Sequence, residues 1–192
     1  VEVAPHAPPP LDSFLFDAMG VLIVAVTLVI ADLTRRLVAT RPAIAADMLL
    51  AARAGMALLL ISCLLGIWVG MHGEARIGQG LDPTGLGRAG VPKFSHGVVI
   101  HAVQWLPALA WLMRRAGLTE SRRWRLVAVA AVGSTLLLVY AVVQTALGRA
   151  RFDTVPTTAA MLAASLLCLA APLGVTAWAC AVRRRSPPPA AG

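Results

Sequence analysis

The sequence predicts an all-α integral membrane protein: a bundle of five transmembrane helices, N-terminus outside and C-terminus cytoplasmic. Three observations predict it. Charged residues make up only 14% of the chain against 58% hydrophobic residues, and the mean hydropathy is +0.77, whereas soluble domains carry about 25% charge. The apolar residues fall in five runs, each near the roughly 20 helical residues that cross ~30 Å of hydrocarbon. The arginines gather at the ends of those runs, which is a topology signal.

An outer Pro-rich segment, 1–13, contains His6 as a solvated tail residue. It leads into the first span, about 14–33, which ends at Arg35-Arg36. With no basic segment before it and no small-residue cleavage site after it, this run is expected to be a retained span and not a signal peptide. The second span covers about 50–71, with Arg53 placed to snorkel toward the boundary. The third, about 94–113, stops at Arg114-Arg115 and contains Pro107, where the loss of a backbone hydrogen bond predicts a bend. The fourth, about 126–147, is entered through Arg122-Arg123-Trp124-Arg125, and the fifth, about 156–182, stops at Arg183-Arg184-Arg185. Residues 183–192 form a basic, Pro-rich cytoplasmic tail, and 14–182 the bundle. The runs are too long, and too free of period-2 alternation, for barrel strands. Small residues (Gly55, Gly66, Gly70, Gly133, Ala163) are expected where helices approach closely.

Orientation follows from the basic residues. The 35–53 and 114–125 connections and the C-terminal tail hold 12 of the 17 Lys and Arg. Positive-inside then places those three regions in the cytoplasm. Trp68 marks an outer boundary, and Trp111, Trp124 and Trp178 mark inner ones.

Several classes are excluded. The net charge of +8 is not spread as a basic stripe on a polar face, so no nucleic-acid partner is expected. Cys63, Cys168 and Cys180 lie inside apolar runs with no CxxC pairing and read as packing residues. The Gly- and Pro-rich 72–93 connection holds Gly78-x-Gly80, but no strand precedes it, so it is no nucleotide fingerprint. The five spans do not divide into two similar halves, which argues against an inverted-repeat solute transporter. Ser95 beside His96 is a sequence neighbour and makes no nucleophile–base pair.

The chemistry gathers in the third span, Ser95-His96-Gly97-Val98-Val99-Ile100-His101-Ala102-Val103-Gln104-Trp105-Leu106-Pro107. Ionisable groups in hydrocarbon are costly and mark candidate sites. On one regular helix His101 and Gln104 share a face, whereas His96 points ~140° away from His101. Other polar residues belong to the same expected depth: Asp17 in span one, His72 and Glu74 after span two, Tyr140 and Gln144 in span four. Asp17 and Asp32 stand only ~22 Å apart along a helix, less than the hydrocarbon thickness, so at least one of them is expected to dip inward unless the bilayer thins. Together these residues are expected to converge on one outward-facing pocket.

Three readings of that pocket follow. A haem b could be held between His72 and His101, as axial histidines hold haem in bundles. A Cu, Zn or Fe ion could take His72, His96, His101 and Glu74, with Asp17, Gln104, Tyr140 and Gln144 around them. Alternatively His101, Gln104 and Gln144 bond across helices and glue the bundle. The corresponding functions are a membrane electron-transfer protein with a redox cofactor, a non-catalytic accessory or assembly subunit of a larger membrane complex, or a small-solute transporter without an inverted repeat.

The run His96-Gly97-x-x-x-His101-Ala102-x-Gln104-x-Leu106-Pro107 resembles a helix of uncharacterised bacterial multipass membrane proteins. In these, too, an upstream His and a Gly-rich outer loop lead into the helix. The likeness spans the second and third runs and their loop, about a third of the chain. It implies a bacterial cytoplasmic (inner) membrane and assigns no activity.

Overall fold

A computed structural model describes residues 10–40 and 42–185. Six α-helices run in order: α1 Pro10–Ala39, α2 Ala46–Ile77, α3 Pro92–Gly97, α4 Ala102–Arg115, α5 Glu120–Ala146 and α6 Pro156–Arg185. With α3 and α4 counted as one interrupted span, five helical segments are long and apolar enough to cross a membrane. The Pro-rich residues 1–9, with His6, and the tail residues 186–192 lie outside the described residues.

The helices outrun the apolar cores that announce them. The first begins at Pro10, inside the segment 1–13 expected as an outer Pro-rich stretch, because Pro fits the first helical turn, where its missing N–H costs nothing. The last continues through Arg183 to Arg185, because basic side chains at a helix C-terminus complement its dipole. The helices thus extend past the expected span limits at 14 and 182.

α2 is the hub. It packs against α1, α3, α4 and α5, whereas among the described residues α1 packs on α2 alone, and α6 packs on α5 and the edge of α4. The tightest crossing is α2 on α4 at Gly55, where an added Cβ would lie 2.7 Å from Val103 Cα. Gly133 plays the same part between α5 and α6, its absent Cβ facing Cys168 Cβ at 2.8 Å. Gly70, expected at a similar crossing, faces open space. Around Gly55 the buried core collects Ala51, Leu58, Ala102, Leu106, Leu109 and Met113.

The third span breaks at Val98–His101 and not at Pro107, which sits inside a continuous α4. Gly97 weakens the helix, and three successive β-branched residues, Val98, Val99 and Ile100, are poor at resuming it. Ala102 N–H closes a three-residue turn on Val99 O at 2.9 Å, and His101 (φ −89, ψ 1) caps the restarted helix. Pro107 then falls in the second turn of α4, where one missing donor leaves the helix intact.

The bundle end that carries the α1–α2 and α4–α5 turns is held by arginines. Asp47, in the first turn of α2, is fully buried; Arg123 Nε of α5 donates to it at 2.8 Å, and Arg114 of α4 lies 3.7 Å away. Arg123 also donates to Leu118 O at 2.7 Å. Arg53, expected to snorkel toward this end, reaches the C-terminus of α1 and caps it, donating to Leu37 O, Val38 O and Thr40 O. Arg183 of α6 does the same for α4, donating to Arg115 O. Helix ends leave carbonyls without partners, and here neighbouring helices supply the donors.

Truncating one member of a buried ion pair strands the other charge, at a cost of about 3–5 kcal/mol, whereas an apolar replacement of both is near neutral. Asp47→Ala is therefore expected to destabilise the bundle by about 3 kcal/mol, and Asp47→Leu/Arg123→Met to recover most of that loss. Reversible unfolding in mixed micelles measures both; a single variant as stable as the parent would contradict this role.

Candidate functional site

At the interrupted span α2 and α3 exchange hydrogen bonds. Ser62 is fully buried on α2, and its hydroxyl donates to His96 O at 2.8 Å. His96 Nδ1 lies 2.7 Å from Ser62 O and 3.1 Å from Ser62 Oγ. A carbonyl oxygen only accepts, so Nδ1 carries the proton and donates to Ser62 O. Nε2 is then left with its lone pair. Gly66, one turn beyond Ser62, makes room for the ring: an added Cβ would come within 3.0 Å of it.

The His96 ring borders a groove of about 620 Å³ between α1, α2 and α3. Its walls are apolar, with Leu22, Ile23 and Val26 on one side and Cys63, Gly66 and Val69 on the other, and Lys93 stands at its α3 end. A second recess of about 190 Å³ shares Val69, Gly70 and Lys93 with it and reaches Glu74 and Pro83. A third, of about 540 Å³, shares Glu74 and adds Asp17 and Val24. Asp17, Glu74, Lys93 and His96 therefore line three neighbouring recesses that follow one another along α2 as a furrow, the first and third of them walled by α1.

The remaining expected site residues go elsewhere. His72 stacks on Trp68, with ring centroids 5.6 Å apart, and its Nε2 lies 3.1 Å from Gly85 O, so it pins the 78–91 loop. That loop is further held by Asp82, which accepts from the Thr84 N–H and hydroxyl. Those two bonds, led by the backbone N–H and aided by the Arg76 charge, hold the Asp82 carboxyl below its ordinary range. Their contribution is present above that range and fades as pH falls through it. Tyr140 and Gln144 are fully buried on α5 and organise the 147–155 loop. The Tyr140 hydroxyl donates to Arg151 O, and Gln144 Nε2 donates to Asp153 O at 2.9 Å. Phe94 packs edge-on against Tyr140, and the Arg151 guanidinium lies over the Phe94 ring, 5.6 Å from its centroid. The two loops meet where Ala89 N–H donates to Gly148 O.

His101 and Gln104 share a face, as the helical spacing predicts, with His101 Nδ1 2.9 Å from Gln104 Oε1. That face is exposed and points away from the bundle. Among the described residues no group of three or more His, Cys, Asp and Glu side chains could hold a metal ion. Of the eight expected site residues, Asp17 and Glu74 line one recess and His96 another along the same furrow. Lys93 and Ser62 were missed by sequence reasoning. Lys93 belongs to the same stretch as His96, but Ser62 carries no signal of its own, because a serine in an apolar helix ordinarily bonds back along that helix.

No known family model, curated protein or solved structure matches the chain.

Loss of the Ser62 hydroxyl leaves the His96 carbonyl unsatisfied in a buried place, a cost of about 1–3 kcal/mol. Ser62→Ala is expected to accelerate amide exchange selectively at Val98–His101, read by mass spectrometry in nanodiscs. Exchange unchanged there would contradict the assignment of Ser62 as the partner that holds the break.

Proposed function

We propose that this is a multipass protein of the bacterial cytoplasmic membrane, N-terminus outside, that binds a membrane-soluble amphiphile in the α1–α2–α3 groove. One observation carries the reading: a histidine whose Nδ1–H is fixed on the Ser62 carbonyl while its ring borders an apolar groove within the membrane-spanning part. That arrangement leaves Nε2 as an acceptor or ligand atom, and a histidine with its other nitrogen tied to a carbonyl is the pattern used to orient ligating imidazoles. The apolar walls suit a hydrocarbon body, and Lys93 and His96 suit a polar or anionic head. A groove of about 620 Å³ falls in the usual range of ligand sites, roughly 300–1,000 Å³.

A redox cofactor is the electron-transfer form of this reading. A haem would be held by His96 as an iron ligand, with Lys93 as the cation for its carboxylates; a quinol would donate a hydroxyl hydrogen bond to His96. A metal ion held by side chains alone needs three or four ligands, which makes an organic ligand the better fit to this furrow. The alternative, an accessory subunit of a larger complex, is favoured by α1, which among the described residues packs on α2 alone and leaves the rest of its apolar circumference open.

Protein extracted in native nanodiscs is expected to carry an apolar small molecule, detected by visible absorption and by mass spectrometry of the solvent extract. His96→Gln should lower its occupancy about five- to tenfold, the value of one hydrogen bond, while His101→Leu leaves it unchanged. A Soret band lost with His96 identifies the ligand as haem. Equal occupancy in His96→Gln and parent would refute the groove, and a stoichiometric protein partner with an empty groove would favour the subunit reading.

A further inference from the structure

We propose that two copies of this chain pair side by side through the exposed face of α4, centred on His101 and Gln104. Both residues lie well inside the 24-residue span Pro92–Arg115 and both are exposed. Polar groups facing lipid at that depth are costly and seek partners. The hydrogen bond within the pair decides which partner fits. Gln104 Oε1 accepts, so His101 Nδ1 carries the proton and Nε2 keeps a lone pair. Gln104 Nε2 keeps two N–H donors. One acceptor and two donors side by side are complementary to a second copy turned through 180°: each His101 Nε2 accepts from the other copy's Gln104 amide. All copies insert with the same topology, so the two-fold axis lies along the membrane normal, and the interface is isologous.

The rest of the face fits this occupant. Ala108, Trp111 and Leu112 continue the exposed stripe at i+4 to i+8 from Gln104, with Trp111 50% and Leu112 41% exposed. Ala108 is small where two α4 helices would cross, and small residues at such points let helix backbones approach. The stripe owes nothing to the groove beside α1, so this inference stands independently of the ligand reading.

Fluorescence transfer between labelled copies in lipid vesicles, over a series of protein-to-lipid ratios, tests the pairing. The parent is expected to dimerise reversibly. His101→Leu/Gln104→Leu should weaken dimerisation roughly tenfold through loss of two symmetric hydrogen bonds. Ala108→Trp, a change on an exposed position that leaves the bundle interior untouched, should abolish it. Gln104→Cys in native membranes treated with a membrane-permeant two-electron oxidant should yield a disulfide-linked homodimer absent from the equally treated parent, whose own cysteines lie on α2 and α6. A parent monomeric at every ratio, or a dimer indifferent to both variants, would overturn the proposal. So would Gln104→Cys cross-linking only to a different protein.

Discussion

Everything near the groove depends on one constraint: an interrupted helix inside a membrane-spanning bundle must find partners for its freed backbone groups within the protein. Hydrocarbon offers none, and irregular backbone at that depth survives only where protein encloses it. Here the partner is Ser62, whose hydroxyl satisfies His96 O while its own carbonyl receives His96 Nδ1–H. The reciprocal pair closes the break and, in the same act, fixes the tautomer and aim of the imidazole. Two glycines on the same face of α2 make it possible. Gly55 lets the restarted helix α4 lie against the backbone of α2, and Gly66 leaves room for the His96 ring.

The two ends of the bundle are tied by different chemistry. At the end bearing the α1–α2 and α4–α5 turns, guanidinium groups reach across helices to a buried carboxylate and to bare carbonyls at helix C-termini. These contacts give the clustered arginines a structural task. At the other end, neutral donors do the work: His72, Tyr140 and Gln144 each bind main-chain carbonyls of the connecting loops. Between the two, α1 is fastened mainly by Arg53 and its packing on α2. A helix attached along one side leaves the furrow beside it open.

The number and placing of the spans were legible in the sequence because hydropathy and terminal arginines are local signals. So was the pairing of His101 with Gln104, which needs only helical spacing. The break at Val98–His101 was not. Pro107 is the strongest local breaker in the span, but a proline early in a helix removes a single bond, whereas Gly97 and the three β-branched residues after it act together with a buried acceptor and donor on another helix. The inward member of the histidine pair was also illegible, because a regular helix was assumed across the break. Asp47 shows the same limit. Its value rests on Arg123, 76 residues away in the chain, and no local pattern connects them. The polar residues of the second-to-third connection and of span four looked like one pocket because they share a depth; the structure distributes them between a furrow and two loop anchors.

The account rests on the orientation of one imidazole, and nitrogen-15 spectroscopy of the His96 side chain in lipid measures it directly. Uniformly labelled protein compared with His96→Gln assigns the resonances. A neutral ring protonated at Nδ1, with an unprotonated Nε2 that shifts when the groove is loaded, is the expected result. A ring protonated at Nε2 with a bare Nδ1 would contradict the bond to the Ser62 carbonyl, and with it the groove as a binding site.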